Sequence, residues 1–320
     1  MRMKILHVVP GLNEPTNGIA VAAKWIAEGQ KQGGDEVEVV ETREFVSSTF
    51  NLNFYDEVWV HSMWLPMTMK ACRRVLRAGR RTTDNLQPST FNLQPRLVRM
   101  LHGCLDPVKL RYSWYKKILV AGYELWLMKH SDRIVATEED EAKWIGYWHT
   151  GAKIQMLDLG STVRYVPRAG LGKRNFLFVG RMHPLKGFDV LMKAVERVRA
   201  SDADSDFTLT VIGKDEKSLR AGFEAEANAK GLPIRFLGEV SEEVKRKEMM
   251  QADCLVLPTL SENFALVVKE SLEFGVPVIT TDGAKIWEGH DGVDYLDGFV
   301  RATEERRVEM LVAAIGRIMV

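Results

Sequence analysis

The sequence predicts an α/β protein of two domains, each built on a doubly wound parallel sheet. Short apolar runs alternate with longer, helix-like stretches along the chain, as in folds assembled from βαβ units. This alternation starts near Lys4 and starts again near Asn175, after an irregular stretch at 160–173 that contains several glycines. The 320 residues are enough for two hydrophobic cores. We therefore expect one domain at 1–165 and a second at 166–320.

The first half opens with a strand, a turn-rich loop, a helix and a second strand. The loop lacks Gly-x-Gly-x-x-Gly, so a nicotinamide dinucleotide site is not expected. His61 and Trp64, near the end of the third strand, are interpreted as a satisfied histidine and a packed tryptophan. Asn-Leu-Gln-Pro occurs at 85 and again at 92, which indicates a duplicated loop insertion. The strands predicted here are 4–9, 36–41, 57–61, 96–101, 132–137 and 153–157, and the helices are 19–32 and 138–148.

The second half repeats the pattern. The predicted strands are 175–179, 207–212, 234–237, 253–257 and one that starts at 276, and the helices are 188–200, 217–230, 242–251 and 303–320. Asp202-Ala203-Asp204 is similar to a metal-binding Asp-x-Asp, but it precedes a strand instead of following one. We therefore interpret it as a polar loop and predict no metal site.

Composition limits the partners and the cellular compartment expected for the protein. The net charge of +1 gives no indication of a nucleic-acid partner. The three cysteines have no metal-like spacing, which favours a reduced compartment. Because no apolar run approaches the roughly 20 residues of a membrane span, and the first ten residues are too short for a signal-peptide core, we expect a cytoplasmic protein.

One region is biased in charge. Between Lys70 and Lys117 the only acidic residues are Asp84 and Asp106, and the helix that follows carries tyrosines and tryptophans up to Trp126. Region 70–126 has two interpretations, which the sequence leaves open. It is either a cationic, aromatic face that rests on anionic lipid, or a set of solvated basic residues above core aromatics.

The most informative stretch follows the predicted strand that ends at Leu257. Asn263 is expected to be the N-cap of a helix, leaving free N–H groups for an anion such as a diphosphate on Phe264, Ala265 and Leu266. Glu262 precedes this helix and Glu270 lies about 7 Å further along its axis. Carboxylates accept paired hydrogen bonds from vicinal hydroxyls, so Glu262 suits a sugar and Glu270 a ribose. By themselves, two such glutamates are also common at the start of a surface helix.

Two further motifs lie where predicted strands end. Gly180-Arg181 and Lys186-Gly187 follow the strand 175–179, and their two cations can neutralise a diphosphate leaving group. His102-Gly103 follows the strand 96–101, where glycine permits a sharp turn after the imidazole.

Together these motifs resemble the retaining glycosyltransferases of family GT4, which have the GT-B fold. The resemblance rests on Leu257-Pro258-Thr259-Leu260-Ser261-Glu262-Asn263-Phe264, on Glu270, on Gly275-Val276-Pro277-Val278-Ile279, on Gly180-Arg181 with Lys186-Gly187, and on His102-Gly103. It implies two Rossmann-like domains that face each other across a cleft. Ala265 stands where the family has glycine, and Gly18, after Asn17, is what remains of a Gly-Gly pair. The family also continues beyond the helix 303–320 with a helix that crosses back to the first domain.

The resemblance also implies roles for individual residues. Arg181 and Lys186 would stabilise the leaving diphosphate, Glu262 would orient the sugar, and His102 would hold the other face of the sugar. The remaining donor contacts would come from Gly18, Gly103, Gly180, Asn263, Phe264, Ala265, Leu266 and Glu270. The nucleotide-sugar is a substrate, so no cofactor and no metal is expected.

The leading hypothesis is a hexosyltransferase that moves a sugar from a UDP- or GDP-sugar to an acceptor hydroxyl with retention. The acceptor would be a sugar, a lipid-linked group or another hydroxyl, in the synthesis of cell-surface polysaccharide or glycolipid. The protein would be cytoplasmic, with peripheral membrane contact through region 70–126. Two alternatives stay open: a nucleotide-sugar epimerase of the same fold, and a nucleotide-sugar-binding protein that has lost catalysis.

Overall fold

The computed structural model describes residues 2–14, 17–81, 95–112, 114–148, 151–160, 163–168, 172, 174–201 and 206–319. The chain divides into two compact units, unit 1 (Met1–Leu159) and unit 2 (Gly160–Val320). In the described residues each unit contains a six-stranded sheet whose paired strands are all parallel. The predicted α/β fold is confirmed.

The sheet of unit 1 has the strand order β2-β1-β3-β4-β5-β6. Its strands are β1 (Lys4–Val9), β2 (Glu36–Glu41), β3 (Glu57–His61), β4 (Arg96–Met100), β5 (Arg133–Ala136) and β6 (Lys153–Met156). Its helices are α1 (Gly18–Gln32), α2 (Thr42–Ser47), α3 (Pro66–Arg81), α4 (Pro107–Arg111), α5 (Trp114–Lys129) and α6 (Glu139–Tyr147). The strands β1, β3 and β4 are buried almost throughout, which explains why most of their residues are apolar.

Three helices of unit 1, α2, α3 and the short α4, are absent from the sequence prediction. The many basic residues of α3 mask an apolar stripe, Met69, Cys72 and Val75, at the three-residue spacing of one helix face. These three side chains are buried and pack in a cluster with residues of β1, β3 and β4 such as Val8, Val58 and Leu97.

A buried ion pair supports the loop after β3. Arg99 Nη1 lies 2.7 Å from Glu124 Oε2, and both side chains are fully buried. Arg99 also donates to the Ser62 carbonyl at 3.1 Å, and the Trp64 N–H donates to Glu124 at 2.8 Å. Ser62 and Trp64 have left-handed φ angles of 76° and 69°. The ion pair therefore supplies hydrogen-bond partners to the backbone of this strained loop. The same bonds satisfy the two buried charged groups, which would otherwise be costly to bury.

The sheet of unit 2 has the order β12-β11-β10-β7-β8-β9. Its strands are β7 (Asn175–Val179), β8 (Thr208–Ile212), β9 (Ile234–Gly238), β10 (Cys254–Leu257), β11 (Val278–Thr281) and β12 (Val293–Leu296). Its helices are α7 (Phe188–Ser201), α8 (Arg220–Ala229), α9 (Glu242–Gln251), α10 (Leu266–Glu273) and α11 (Glu304–Met319). The edge strand β12 was not predicted, whereas α11 matches the predicted terminal helix and packs its buried face into the same core as α7.

Each sheet has one point where the chain reverses its direction of winding. In unit 1 this switch point lies between β1 and β3, and in unit 2 it lies between β7 and β10. The loops that leave neighbouring strands diverge there, so ligands of open parallel sheets bind beyond the strand carboxyl ends at this position. The strands β7 and β10 flank the switch point of unit 2. The motif Gly180–Gly187 follows β7, and the motif Pro258–Ala265 follows β10.

Two sequence predictions fall outside the described residues: the Asn-Leu-Gln-Pro repeats at 85 and 92, apart from Pro95, and the loop Asp202-Ala203-Asp204. Within the described part of the chain, none of the helices is long and apolar enough to cross a bilayer.

Candidate active site

The loops after β7 and β10 are bound to each other. The Leu260 N–H donates to the Leu185 carbonyl at 2.8 Å, and the Thr259 hydroxyl donates to the same oxygen at 3.1 Å. Gly187 has a left-handed φ of 65°, and a Cβ at this position would collide with the Pro258 carbonyl oxygen. Glycine is therefore required where the two loops meet, for its conformation and for its size.

This junction brings Lys186 to Glu262. The ammonium of Lys186 forms an ion pair with Glu262 Oε1, and both side chains are largely buried, with 16% and 14% exposure. Lys186 ends a 3₁₀ turn, Pro184–Lys186, in which the Leu185 N–H donates to His183 Nδ1 at 3.1 Å. The Glu262 N–H donates to the Gly283 carbonyl at 2.7 Å, which fixes the backbone of the acidic residue. A cation and a carboxylate predicted for the donor are thus in direct contact.

Arg181 takes a different partner. Its guanidinium lies 2.8 Å from Glu216 Oε2, in the loop after β8, and its side chain is 48% exposed. Lys186 and Arg181, predicted as two cations for one diphosphate, therefore have separate carboxylate partners in the structure. Glu216 was missed by the sequence analysis.

The prediction that Asn263 caps a helix is wrong. Helix α10 starts at Leu266, and its N-cap residue is Ala265, which has a left-handed φ of 54°. The delay has a packing cause: Phe264 is buried edge-on against Trp287 at 5.5 Å, and its carbonyl accepts the Trp287 indole N–H at 2.6 Å. Asn263, Phe264 and Ala265 therefore lie in the loop, and Leu266 provides the first helical N–H group.

Glu270 lies in the second turn of α10 and faces a lysine of α9. Lys245 Nζ is 3.0 Å from Glu270 Oε2, and both side chains are largely buried. Burial raises the pKa of Glu270, and the neighbouring ammonium opposes that rise. Lys245 was also missed, because no spacing in the sequence links α9 to α10.

The glycines predicted at the site have different surroundings. A Cβ on Gly18, the first residue of α1, would meet no described atom within 4 Å, so there is open space beside this helix start. Asn17 caps that helix by accepting the Ile19 N–H at 3.1 Å. Gly180 continues the ladder of β7 by donating to the Ile212 carbonyl at 2.9 Å. Gly103 donates to the buried carboxylate of Glu141 at 2.6 Å.

In unit 1, His102 follows β4 with a left-handed φ of 55°. Its Nε2 lies 2.9 Å from Nδ1 of His61, which is fully buried and contacts His7 in turn. Burial lowers the pKa of His102 to about 3 and the pKa of His7 to about 4. The imidazoles are therefore uncharged near pH 7. Trp64 donates its indole N–H to the Cys104 carbonyl at 3.1 Å, which agrees with its interpretation as a packed side chain.

Among the described residues, no group of three or more His, Cys, Asp or Glu side chains is placed to hold a metal ion. The charged groups brought together in unit 2 are the pairs Lys186–Glu262 and Lys245–Glu270, beside the start of α10. This arrangement offers cations and first-turn N–H groups to an anion, and carboxylates to hydroxyl groups.

Solved structures match the architecture of the chain over nearly its whole length. Sucrose-phosphate synthase from Thermosynechococcus elongatus matches with a TM-score of 0.72 and 14% identity, over 99% of this chain and 90% of that one. The Anabaena protein Alr3699/HepE, solved in complex with UDP-glucose, matches with a TM-score of 0.67 and 15% identity, over 99% and 89%. The fold of the chain is GT-B.

Sequence comparison agrees. Residues 173–319, nearly all of unit 2, match the family described as glycosyl transferases group 1. D-inositol 3-phosphate glycosyltransferase of Geodermatophilus obscurus is 32% identical over 224 residues, 60% of this chain and 49% of the relative. Phosphatidyl-myo-inositol mannosyltransferase of Mycobacterium leprae is 30% identical over 167 residues, 51% of this chain and 39% of the relative. The chain spans about half or less of the length of these curated relatives.

The left-handed conformation of Ala265 leads to a stability prediction. Replacing Ala265 with glycine removes the Cβ strain and is expected to raise the free energy of unfolding by about 1 kcal/mol. Ala225→Gly, at an exposed position inside α8, is the matched control and should lower it by a similar amount. Urea unfolding of both variants measures the effects. Equal destabilisation by the two glycines would show that Ala265 is unstrained.

Proposed function

We propose that the protein transfers a hexosyl group from a UDP- or GDP-sugar to an acceptor hydroxyl, with retention at the anomeric carbon and without a bound metal ion. The observation that carries the proposal is the contact of Lys186 with Glu262 at the switch point of unit 2. The relatives named above are transferases and synthases, which favours transfer over epimerisation. The resemblance of the motifs to retaining enzymes supports retention, which the anomeric proton coupling of the product distinguishes from inversion.

In the proposed reaction Lys186 receives the charge of the departing diphosphate. Negative charge develops on that group in the transition state, so a cation fixed in advance lowers the barrier more than it strengthens ground-state binding. An ammonium has three N–H donors and can hold a phosphate oxygen while it keeps its bond to Glu262. The N–H groups of Leu266 and Val267, in the first turn of α10, add the positive end of the helix dipole.

The two carboxylates would hold the neutral parts of the donor. Glu262 accepts hydrogen bonds from sugar hydroxyls, and Glu270 accepts them from the ribose diol. Each carboxylate is paired with a lysine, Lys186 or Lys245, and an ionised carboxylate is an acceptor only. Arg181 would reach the diphosphate either by breaking its ion pair with Glu216 or by contacting both groups, which its exposed position permits.

Removing Lys186 tests the reaction. Lys186→Ala is expected to lower kcat/KM by about 100- to 1000-fold, as for the loss of one preorganised donor to a developing anion. The assay follows UDP or GDP release from UDP-glucose and GDP-mannose, with D-inositol 3-phosphate and a lipid extract as acceptors. The wild-type rate should be the same with and without EDTA.

The control is Lys193→Ala, which removes the α7 lysine of an exposed ion pair with Glu304 of α11 and should leave the rate unchanged. Since Lys186→Ala leaves Glu262 without its lysine, the double variant with Glu262→Gln is measured too, and thermal unfolding checks that each variant is folded. Near-normal transfer by folded Lys186→Ala contradicts the assignment.

We also propose that unit 1 rests on an anionic lipid surface through the start of α5. Trp114, Tyr115, Ile118 and Leu119 share one helix face and are 59%, 56%, 62% and 84% exposed. An apolar helix face of this kind open to water is typical of an interaction site. Cations border it at Lys109, Arg111, Lys116 and Lys117, so the partner that fits is negatively charged and apolar. A lipid-linked acceptor would be reached at such a surface, in glycolipid or cell-surface polysaccharide synthesis.

Vesicle binding tests this surface. The protein is expected to sediment with phosphatidylglycerol vesicles, to bind phosphatidylcholine vesicles much less, and to dissociate as salt rises. The variant with Trp114→Ala and Leu119→Ala should bind at least about tenfold more weakly. Phe54→Ala, which removes an aromatic that is 66% exposed elsewhere on unit 1, is the control. If the double variant binds like the control, α5 is not the membrane contact.

A further inference from the structure

Three histidines form a continuous hydrogen-bonded chain through unit 1. They lie on neighbouring strands, His7 in β1 and His61 in β3, or directly after the next strand, as His102 does after β4. His7 Nδ1 is 2.9 Å from His61 Nε2, and His61 Nδ1 is 2.9 Å from His102 Nε2. The ring centroids are 5.1 and 5.2 Å apart, and His7 and His61 are fully buried.

The number of protons on the rings allows only two hydrogen-bonding states of the three histidines, one for each direction of donation. A neutral imidazole has one N–H donor and one acceptor nitrogen. Burial is the main cause that lowers the pKa of each ring, so all three are neutral near pH 7. A middle ring that donates on both sides would be charged, and one that accepts on both sides would lack a proton. The three rings must therefore all donate in the same direction.

Gln30 selects the direction. His7 Nε2 lies 2.8 Å from the side-chain carbonyl oxygen of Gln30, on α1, and a carbonyl oxygen only accepts. His7 therefore carries its proton on Nε2 and accepts at Nδ1 from His61 Nε2–H. By the same logic, His61 accepts at Nδ1 from His102 Nε2–H.

The last nitrogen of the chain is His102 Nδ1. Every other ring nitrogen is satisfied internally, as a buried polar network requires. Within the described part of the chain no group is hydrogen-bonded to His102 Nδ1, and His102 is only partly buried. The direction set at Gln30 leaves this nitrogen as an acceptor.

We propose that Gln30, His7 and His61 are positioning residues that hold His102 in its Nε2–H tautomer, so that His102 accepts a hydrogen bond from a ligand hydroxyl. An acceptor nitrogen selects a sugar or polyol O–H group and rejects a phosphate or carbonyl oxygen, which has no proton to donate. The effect on transfer rests on the proposed function, whereas the tautomer does not.

Nitrogen NMR of the full chain labelled with 15N-histidine tests the tautomer directly. Two-bond 15N–1H correlations of the imidazole distinguish the Nε2–H, Nδ1–H and charged forms, and the His102 signal is the one lost in His102→Asn. The expected result near pH 7 is the Nε2–H form for His7, His61 and His102. An Nδ1–H or charged His102 in the wild-type protein overturns the proposal.

Two variants of Gln30 with opposite hydrogen-bonding character extend the test. Gln30→Glu supplies an acceptor and should keep the wild-type tautomers. Gln30→Lys supplies a donor and should reverse the chain, giving Nδ1–H on all three rings. Folded Gln30→Lys with unchanged tautomers overturns the proposal. If Gln30→Lys does not fold, the wild-type and Gln30→Glu spectra decide the question.

Kinetics separate this role from a merely structural one. With UDP-glucose or GDP-mannose as donor, Gln30→Lys is expected to lower kcat/KM by about 10- to 100-fold, and Gln30→Glu by less than about threefold. Equal losses in the two variants would contradict a role through His102. Absence of transfer by the wild-type protein counts against the proposed function alone, and the spectra still decide the tautomer.

Discussion

The site in unit 2 depends on the close approach of two loops at the point where its sheet reverses direction. Gly187 leaves no room for a side chain against the Pro258 carbonyl, and the Leu185 carbonyl accepts hydrogen bonds from both Thr259 and Leu260. Because β7 and β10 are adjacent in the sheet but far apart in sequence, these bonds align residues separated by more than 70 positions. Without this junction, Lys186 would have no fixed position relative to Glu262 or to the start of α10.

Paired charges are the second property of the site. Lys186 contacts the carboxylate of Glu262, and Arg181 contacts that of Glu216. Lys245 contacts two carboxylates, those of Glu270 and Glu242. A largely buried charge without a counter-ion is costly, so these contacts offset the cost of burying Lys186 and Lys245 with their carboxylate partners. A bound nucleotide-sugar would then replace or share some of these ion-pair contacts, with the charged side chains already in place. Little reorganisation is needed for such an exchange, which is the condition under which fixed charges lower a barrier most.

Strong local patterns made much of the fold predictable. The apolar runs of β1, β3 and β7 have the bounds expected from the sequence, and the restart of the pattern near Asn175 identified the second unit. The edge strand β12 was missed because only its last residue, Leu296, is buried, which leaves a weak apolar signal. Helix α3 was missed because its basic residues conceal a narrow apolar stripe. Helix α10 starts later than predicted because the contact of Phe264 with Trp287 overrides the local preference of Asn263.

Candidate ligand residues were easier to find than their partners. Glu262, Glu270 and Lys186 were identified from motifs, whereas Lys245, Glu216 and Trp287 are brought in by sheet order and by packing over long sequence separations. The hydrogen-bonded histidines are likewise brought together by sheet order and not by a sequence motif. Each of their rings lies on or after a different strand, so His7 and Gln30 carry no motif that connects them to His102.

The central claim is that Lys186 and the start of α10 form a binding site for a diphosphate. Calorimetric titration with UDP and UMP, and with GDP and GMP, tests this claim most directly, because each pair of ligands differs by one phosphate. The wild-type protein is expected to bind one of the diphosphates at least about tenfold more tightly than its monophosphate, and Lys186→Ala should lose most of that preference. A preference for the diphosphate that survives in folded Lys186→Ala would contradict the account.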